Sequence, residues 1–282
     1  MTESHVLLTD LRQVPRMIGR VILALNIGNT HTGYGFVERG TIGSTGTAPT
    51  PTADKAFELE MVMDEALGRA DVGATEPVEI VAASVVPAAS QALRELTLRR
   101  GFQLLEANEQ TLPIGMAPGV TGPGDDRLVN AYAAAKLFGA PAIVVDIGTA
   151  TTFDVVGADG RFAGGAIAPG PGLGLDALAA HTAQLPRVRL DLPPRALATN
   201  TIEAIQSGTV LGHVGMIEFL VRAISAQLPA GQEPKVILTG GMAAHGWAKA
   251  IHGVTAIDPL LTLRGLAVLY QHHAAPTAVT SA

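Results

Sequence analysis

The chain of 282 residues contains no cysteine, which excludes disulfides, thiolate zinc sites and cysteine nucleophiles. Aromatic residues make up only 4% of a sequence that is 48% hydrophobic, so a core has to be assembled mainly from Ala, Val, Leu and Ile. Basic residues are also few: 19 Lys and Arg stand against 25 Asp and Glu, the formal charge is −6, and there is no basic run. A nucleic acid or an anionic membrane surface is therefore not expected as a main partner. No uninterrupted apolar run approaches the roughly 20 residues of a membrane span. The start, Met1-Thr2-Glu3-Ser4-His5, lacks the basic opening and apolar segment of a signal peptide. These absences lead to the expectation of a soluble cytoplasmic protein, long enough for one large or two modest domains.

The most informative stretch is Val144-Val145-Asp146-Ile147-Gly148-Thr149-Ala150-Thr151-Thr152-Phe153-Asp154. It reads as a buried strand ending in a carboxylate, a turn rich in hydroxyls, and a strand running back. Such a turn can set a metal-directed carboxylate beside backbone N–H groups and hydroxyls that accept a phosphate. The pattern occurs twice. Leu23-Ala24-Leu25-Asn26-Ile27-Gly28-Asn29-Thr30-His31-Thr32 aligns with it without a gap, and Gly40 falls opposite Gly160. A single repeat of about half the chain points to two similar halves, with the ligand expected in the cleft between them.

Taken in order, residues 1–20 read as a disordered leader, ahead of a first hairpin over 21–26 and 33–37. Thr41 to Pro51 reads as a Gly/Thr/Pro-rich connection, Asp54 to Gly68 as a helix, and Val78 to Ala83 as a strand. A helix to about Arg100 and a short strand near Gln103 follow. The segment Leu112 to Asp125, with three prolines and four glycines, is the candidate boundary. The N-terminal half is therefore placed at 21–123 and the C-terminal half at 124–272, with a mobile tail over 273–282. The second half is expected to carry a helix over 126–138, strands at 141–146, 151–157 and 161–167, and helices near 175–181 and 201–227. A strand at 236–238, a helix over 242–250, a strand at 254–256 and a helix over 260–272 complete the reading. Alternating strands and helices in both halves predict mixed sheets flanked by helices.

Ordered blocks along residues 20–272 then carry a resemblance. They are Asn26-Ile27-Gly28-Asn29-Thr30, Ala83-Ser84-Val85-Val86-Pro87, Gly124-Asp125-Asp126-Arg127, Asp146-Ile147-Gly148-Thr149-Ala150-Thr151-Thr152, Gly164-Gly165-Ala166-Ile167-Ala168-Pro169-Gly170, Asn200-Thr201 and Thr239-Gly240-Gly241. The sequence resembles the actin-like ATPase and sugar-kinase superfamily, and within it the type III pantothenate kinases. The resemblance implies two actin-like (ribonuclease H-like) halves with the active site between them. It also implies an ATP-dependent phosphorylation of pantothenate to 4'-phosphopantothenate, the first step toward coenzyme A.

By that resemblance Asp126 is the base, and Gly124, Asp125, Asp126 and Arg127, with Thr201, contact the substrate. An Arg suits the substrate carboxylate. Asn26, Ile27, Gly28, Asn29, Thr30, His31, Thr32 and Gly33, with Thr149, Gly240 and Gly241, are the implied ATP and phosphate contacts. Asp146 is the implied ligand of a monovalent cation, K+ or NH4+, used beside Mg2+, and the protein is implied to be a homodimer. Read from the residues alone, Asp125 and Asp126 also suit a helix N-terminus, and Asn200 and Thr201 suit a helix cap. His181, His213, His245 and His252 show no close metal-ligand spacing.

The chain departs from the family pattern where Asn26 replaces an Asp that orients hydrated magnesium, where Gly33 replaces a basic residue, and where Ala117 occupies the place of a substrate-covering Tyr. An amide brings no negative charge and accepts no proton, so magnesium affinity is expected to fall. A nucleotide-binding or regulatory relative with weakened turnover, and a kinase of another small hydroxy acid, are the alternative readings.

Overall fold

The computed structural model describes residues 20–50, 55–69, 72, 77–229 and 231–274. The expected leader, apart from Arg20, and the tail from residue 275 lie outside the described residues, as does Asp54 of the first expected helix.

The internal repeat is a repeat of topology. In the first sheet, β1 (Val21–Ile27), β2 (His31–Glu38) and β3 (Thr41–Pro49) form an antiparallel meander, and β4 (Val78–Ser84) and β5 (Gln103–Glu106) add parallel to β1 on its other side. In the second, β6 (Ala142–Ile147), β7 (Ala150–Val156) and β8 (Phe162–Pro169) form the meander, and β9 (Lys235–Thr239) and β10 (Ala256–Ile257) add in parallel. The strand orders, β3-β2-β1-β4-β5 and, read from the other edge, β8-β7-β6-β9-β10, correspond term by term. Gly40 and Gly160 occupy the equivalent second turn of each meander with φ of +83° and +77°, a backbone region that residues with a side chain rarely enter.

The chain divides into two compact units, one running through Leu112 and resuming at Thr262, the other spanning Pro113–Leu261. In the first unit, Leu23, Leu25 and Ile27 of β1 pack with Leu59 and Met63 of α1 (Lys55–Arg69) and with Leu93 and Leu96 of α2 (Pro87–Arg100). Strand alternation places Ile22, Ala24 and Asn26 on the opposite face. There Leu263 of the last helix, α7 (Leu261–Ala274), approaches Gly35, the partner of Ala24 in the ladder. The expected end of the second half at 272 differs from this partition. α7 packs back on the first sheet, where Tyr270 donates to Glu79 at 2.5 Å.

In the second unit, Ile143, Val145 and Ile147 of β6 pack with Val214 and Ile217 of α6 (Gly212–Ser225) and with Trp247. The other face of that sheet meets α3 (Asp125–Leu137). α4 (Pro171–His181) follows β8, and α5 (Thr201–Gln206) runs through a π-helical turn at Ser207–Leu211 into α6.

Two elements correct the sequence reading. Residues 41–49 form an edge strand and not a connection, because their glycines make room for facing side chains. A Cβ on Gly46 would lie 2.3 Å from the Tyr34 ring, and one on Gly43 would lie 2.1 Å from the Glu38 carboxylate. Residues 242–250 form turns with a short 3-10 segment at Gly246–Ala250 in place of the expected helix, a path that sinks Ala243, Trp247 and Ala248 into the core.

Candidate functional site

The second unit gathers most of the polar residues singled out above. β6 carries apolar side chains until its penultimate residue, Asp146, and alternation along β6 and β7 puts Val144, Asp146, Thr152 and Asp154 on the face that α3 covers. α3 starts at Gly124, whose β-region backbone opens the helix, and its first turn supplies Asp125, Asp126 and Arg127. Asn130 lies one turn after Asp126, and its amide donates to Asp146 Oδ2 at 3.0 Å. Arg127 Nε donates to Asp154 Oδ1 at 2.5 Å. Helix start and strand end thus bring three carboxyls and one guanidinium into a single group.

Burial is the main perturbation of all three acids. It pushes Asp126 up, against the opposing backbone N–H and charge of Arg127. It raises Asp146 to about 6, with the Asn130 amide pulling down and the Asp126 charge pushing further up. It raises Asp154 to about 7, although Arg127 opposes it. The Asp126 charge therefore disfavours the ionisation of Asp146 and Asp154, and the Asp146 charge that of Asp154, a repulsion that a bound cation would relieve.

The residues present suit a hard cation. Asp146 supplies a carboxylate, and Thr239, its ladder partner on β9, has a buried hydroxyl with no hydrogen-bond partner among the described residues. Among the described residues no three His, Cys, Asp or Glu side chains assemble into a metal site, so such an ion would draw its remaining ligands from phosphate and water. Gly240 is required by Asp146 itself. At φ +90° it has no side chain, and a Cβ there would lie 2.2 Å from Asp146 Oδ1. Gly241 is exposed and open, with nothing within 4 Å of where its Cβ would be.

The loop after β6 is tied on three sides. Gly148 donates to Ala150 O at 2.9 Å, Ile147 O accepts from Met242 at 3.0 Å, and Thr149 O accepts from Gly170 at 2.9 Å. Thr149 is exposed at its tip. Thr151 turns inward, where its hydroxyl meets Nε2 of His213 at 3.0 Å and the imidazole stands edge-on to Trp247. Burial lowers the pKa of His213, so it is the neutral ring that contacts Thr151.

In the first unit, the corresponding loop is pinned by Thr50, whose hydroxyl donates to Gly28 O at 2.7 Å and whose backbone donates to Thr30 O at 2.8 Å. Asn29, Thr30 and His31 are exposed, and Gly33 is half-buried. Ile27 and Thr32 are fully buried, and the Thr32 hydroxyl is 3.1 Å from that of Thr50, so these two could meet a nucleotide only through their backbone. Asn26 Oδ1 is buried without a partner among the described residues, an acceptor suited to a metal-bound water.

Thr201 is exposed at the start of α5, while Asn200 provides the cap by accepting from the Glu203 backbone at 2.9 Å. Tyr132 is 1% exposed in the core and is not a substitute for the missing substrate-covering Tyr. Asn130, Asp154 and His213 were not among the expected site residues. The available signals were an Asp inside the apolar run Phe153-Asp154-Val155-Val156, which demands a partner, and an Asn four residues after Asp126 on one helix face.

The family model described as type III pantothenate kinase matches residues 22–223. A type III pantothenate kinase of Rhodospirillum rubrum is 40% identical over 263 residues, covering 90% of this chain and 99% of the relative. That of Paramagnetospirillum magneticum is 38% identical over 266 residues, covering 91% and 99%. Among solved structures, the ethanolamine utilization protein EutJ from Carboxydothermus hydrogenoformans shares the fold with a TM-score of 0.58 at 14% identity, over 92% of this chain and 94% of that one.

Proposed function

Because the chain belongs to the type III pantothenate kinase family, we infer that it transfers the γ-phosphoryl group of ATP to the primary hydroxyl of pantothenate, giving 4'-phosphopantothenate for coenzyme A synthesis. The observation that carries the reading is the α3 start, which holds Asp126 close enough to Asp146 for their charges to interact while Asn130 bonds the latter. Asp126 takes the hydroxyl proton. Burial raises its pKa toward working pH, which makes it a stronger base than an exposed Asp. Arg127, with Gly124 and Asp125 beside it, meets the pantothenate carboxylate. Asp146 holds a monovalent cation, which offsets phosphate charge; in the second unit the Thr149 loop is a phosphate contact, and in the first unit the Asn26–Gly33 loop is one. Asn26 accepts a hydrogen bond from magnesium-bound water, and the neutral side chain leaves magnesium less tightly held than a carboxylate would. The cytoplasm is the compartment that this activity assigns to the enzyme.

A homodimer belongs to the same proposal. The helical run Thr201–Ser225 is apolar, with a mean hydropathy of 1.3, yet only 28% of its most apolar window is buried. Ile202 and Phe219 on it are 54% and 61% exposed, and Leu173 on α4 is 51% exposed. Glu203, Glu218 and Arg222 in that run would be costly in lipid, so a second copy of the chain is the favoured cover.

Steady-state ADP release with ATP, magnesium, potassium and pantothenate tests the function. Turnover that disappears in Asp126→Asn, and a lower half-saturating magnesium concentration in Asn26→Asp, are the expected results. ATP binding without turnover in the native protein would refute the kinase and favour a nucleotide-binding role.

A further inference from the structure

Arg127 does not extend freely from its helix. Its side chain is 16% exposed and lies along β7. Nε donates to Asp154 Oδ1 at 2.5 Å, Nη2 donates to the Phe153 carbonyl at 3.2 Å, and the guanidinium carbon is 5.7 Å from the centre of the Phe162 ring. Asp154 is fully buried, and its second oxygen accepts from the Thr152 hydroxyl at 3.1 Å. Gly165 on β8 keeps the path clear, since a Cβ there would lie 3.0 Å from Nη2 and would collide with the Phe153 carbonyl. Nη1 makes no hydrogen bond among the described residues.

A largely buried ion pair such as this is a poor stabilising device, because the desolvation of both charges offsets their attraction and an apolar pair often serves as well. What the pair does secure is geometry. An arginine side chain free to rotate loses entropy each time it binds, whereas one already held at Nε has lost it beforehand. Resting on the reading that Arg127 meets the substrate carboxylate, we propose that Asp154 is the positioning residue for that recognition: it clamps Nε and leaves the Nη1 edge as a preset carboxylate receptor. Affinity for the acid substrate depends on the clamp, and the phosphoryl-transfer step does not.

Asp154→Asn tests this with two acceptors, pantothenate and the analogue whose carboxylate is reduced to an alcohol. The expected result is a KM for pantothenate raised by about tenfold or more, as for loss of a charge-assisted hydrogen bond. kcat should stay within about twofold, and kcat/KM for the alcohol should be similarly unchanged. In an Arg127→Gln background the same substitution should add nothing. Equal losses on both acceptors, or an unchanged KM for pantothenate, overturn the clamp while sparing the kinase. Native protein that phosphorylates neither acceptor removes the kinase reading and the clamp with it. Should Asp154→Asn fail to fold, Thr152→Val removes the hydroxyl that holds the other carboxylate oxygen and should give a smaller KM effect with the same selectivity.

Discussion

Replacing Gly170 by Ala isolates the contribution of close packing to the loop after β6. The residue has φ −69° and ψ 159°, values that alanine adopts freely, so the substitution carries no backbone strain. The added methyl, however, would lie 2.1 Å from the Gly148 carbonyl oxygen and 2.6 Å from that of Thr149. Restoring an ordinary separation requires the loop to retreat by about 1 Å. Overpacking of this kind costs about 1–3 kcal/mol, which lowers Tm by roughly 2–5 °C for a protein of this size. A displacement of that order at a reacting centre lowers turnover by on the order of 100-fold. Thermal melts and steady-state kinetics with varied ATP read both effects. Gly174→Ala is the matched control. It adds a methyl inside α4 with no heavy atom within 4 Å, and should be neutral or stabilising by up to about 1 kcal/mol. A Gly170→Ala enzyme with native Tm and native kcat/KM for ATP would refute the argument.

Two further outcomes follow from the same residues. The Asp146 carboxyl has its pKa raised to about 6, above its unfolded value, so the folded chain retains a proton that the unfolded chain releases between about pH 4 and 6. Stability from this group is present below that window and is lost as pH rises through it. In metal-free buffer Asp146→Asn should therefore be more stable than the native chain at pH 7.5, by on the order of 3 kcal/mol, and no more stable at pH 4; lower stability at both would refute it. If the proposed homodimer forms through α6, Phe219→Glu should convert it to monomer in sedimentation velocity with the secondary structure retained, and an unchanged sedimentation coefficient would remove α6 from the proposed interface.

Much of the fold was legible because apolar strands ending in Ile-Gly recur at matching places, as at Ile27-Gly28 and Ile147-Gly148. β3 was hidden because Gly43 and Gly46 read as loop until Glu38 and Tyr34 are seen to need the space. The helix expected at 242–250 failed because burial of Trp247 outweighed local preference. At the candidate site, Asp126, Arg127 and Asp146 stand in local motifs. Asn130 and Asp154 act through pairings set by the packing of α3 on the sheet, which a linear motif does not contain. Gly240 is a nucleotide contact only by resemblance, and nothing in the sequence signals that a side chain there would strike Asp146.

The matched strand orders make positions 26 and 146 the same address in two copies of one architecture, with an amide at one and a carboxylate at the other. Each copy is thereby a natural control for its counterpart. A reciprocal exchange, Asn26→Asp with Asp146→Asn, conserves the charge of the whole chain while moving it from one address to the other. Any difference between the exchanged and native chains in ion preference then reports on where the charge is placed and not on how much there is, a separation that most binding sites do not offer.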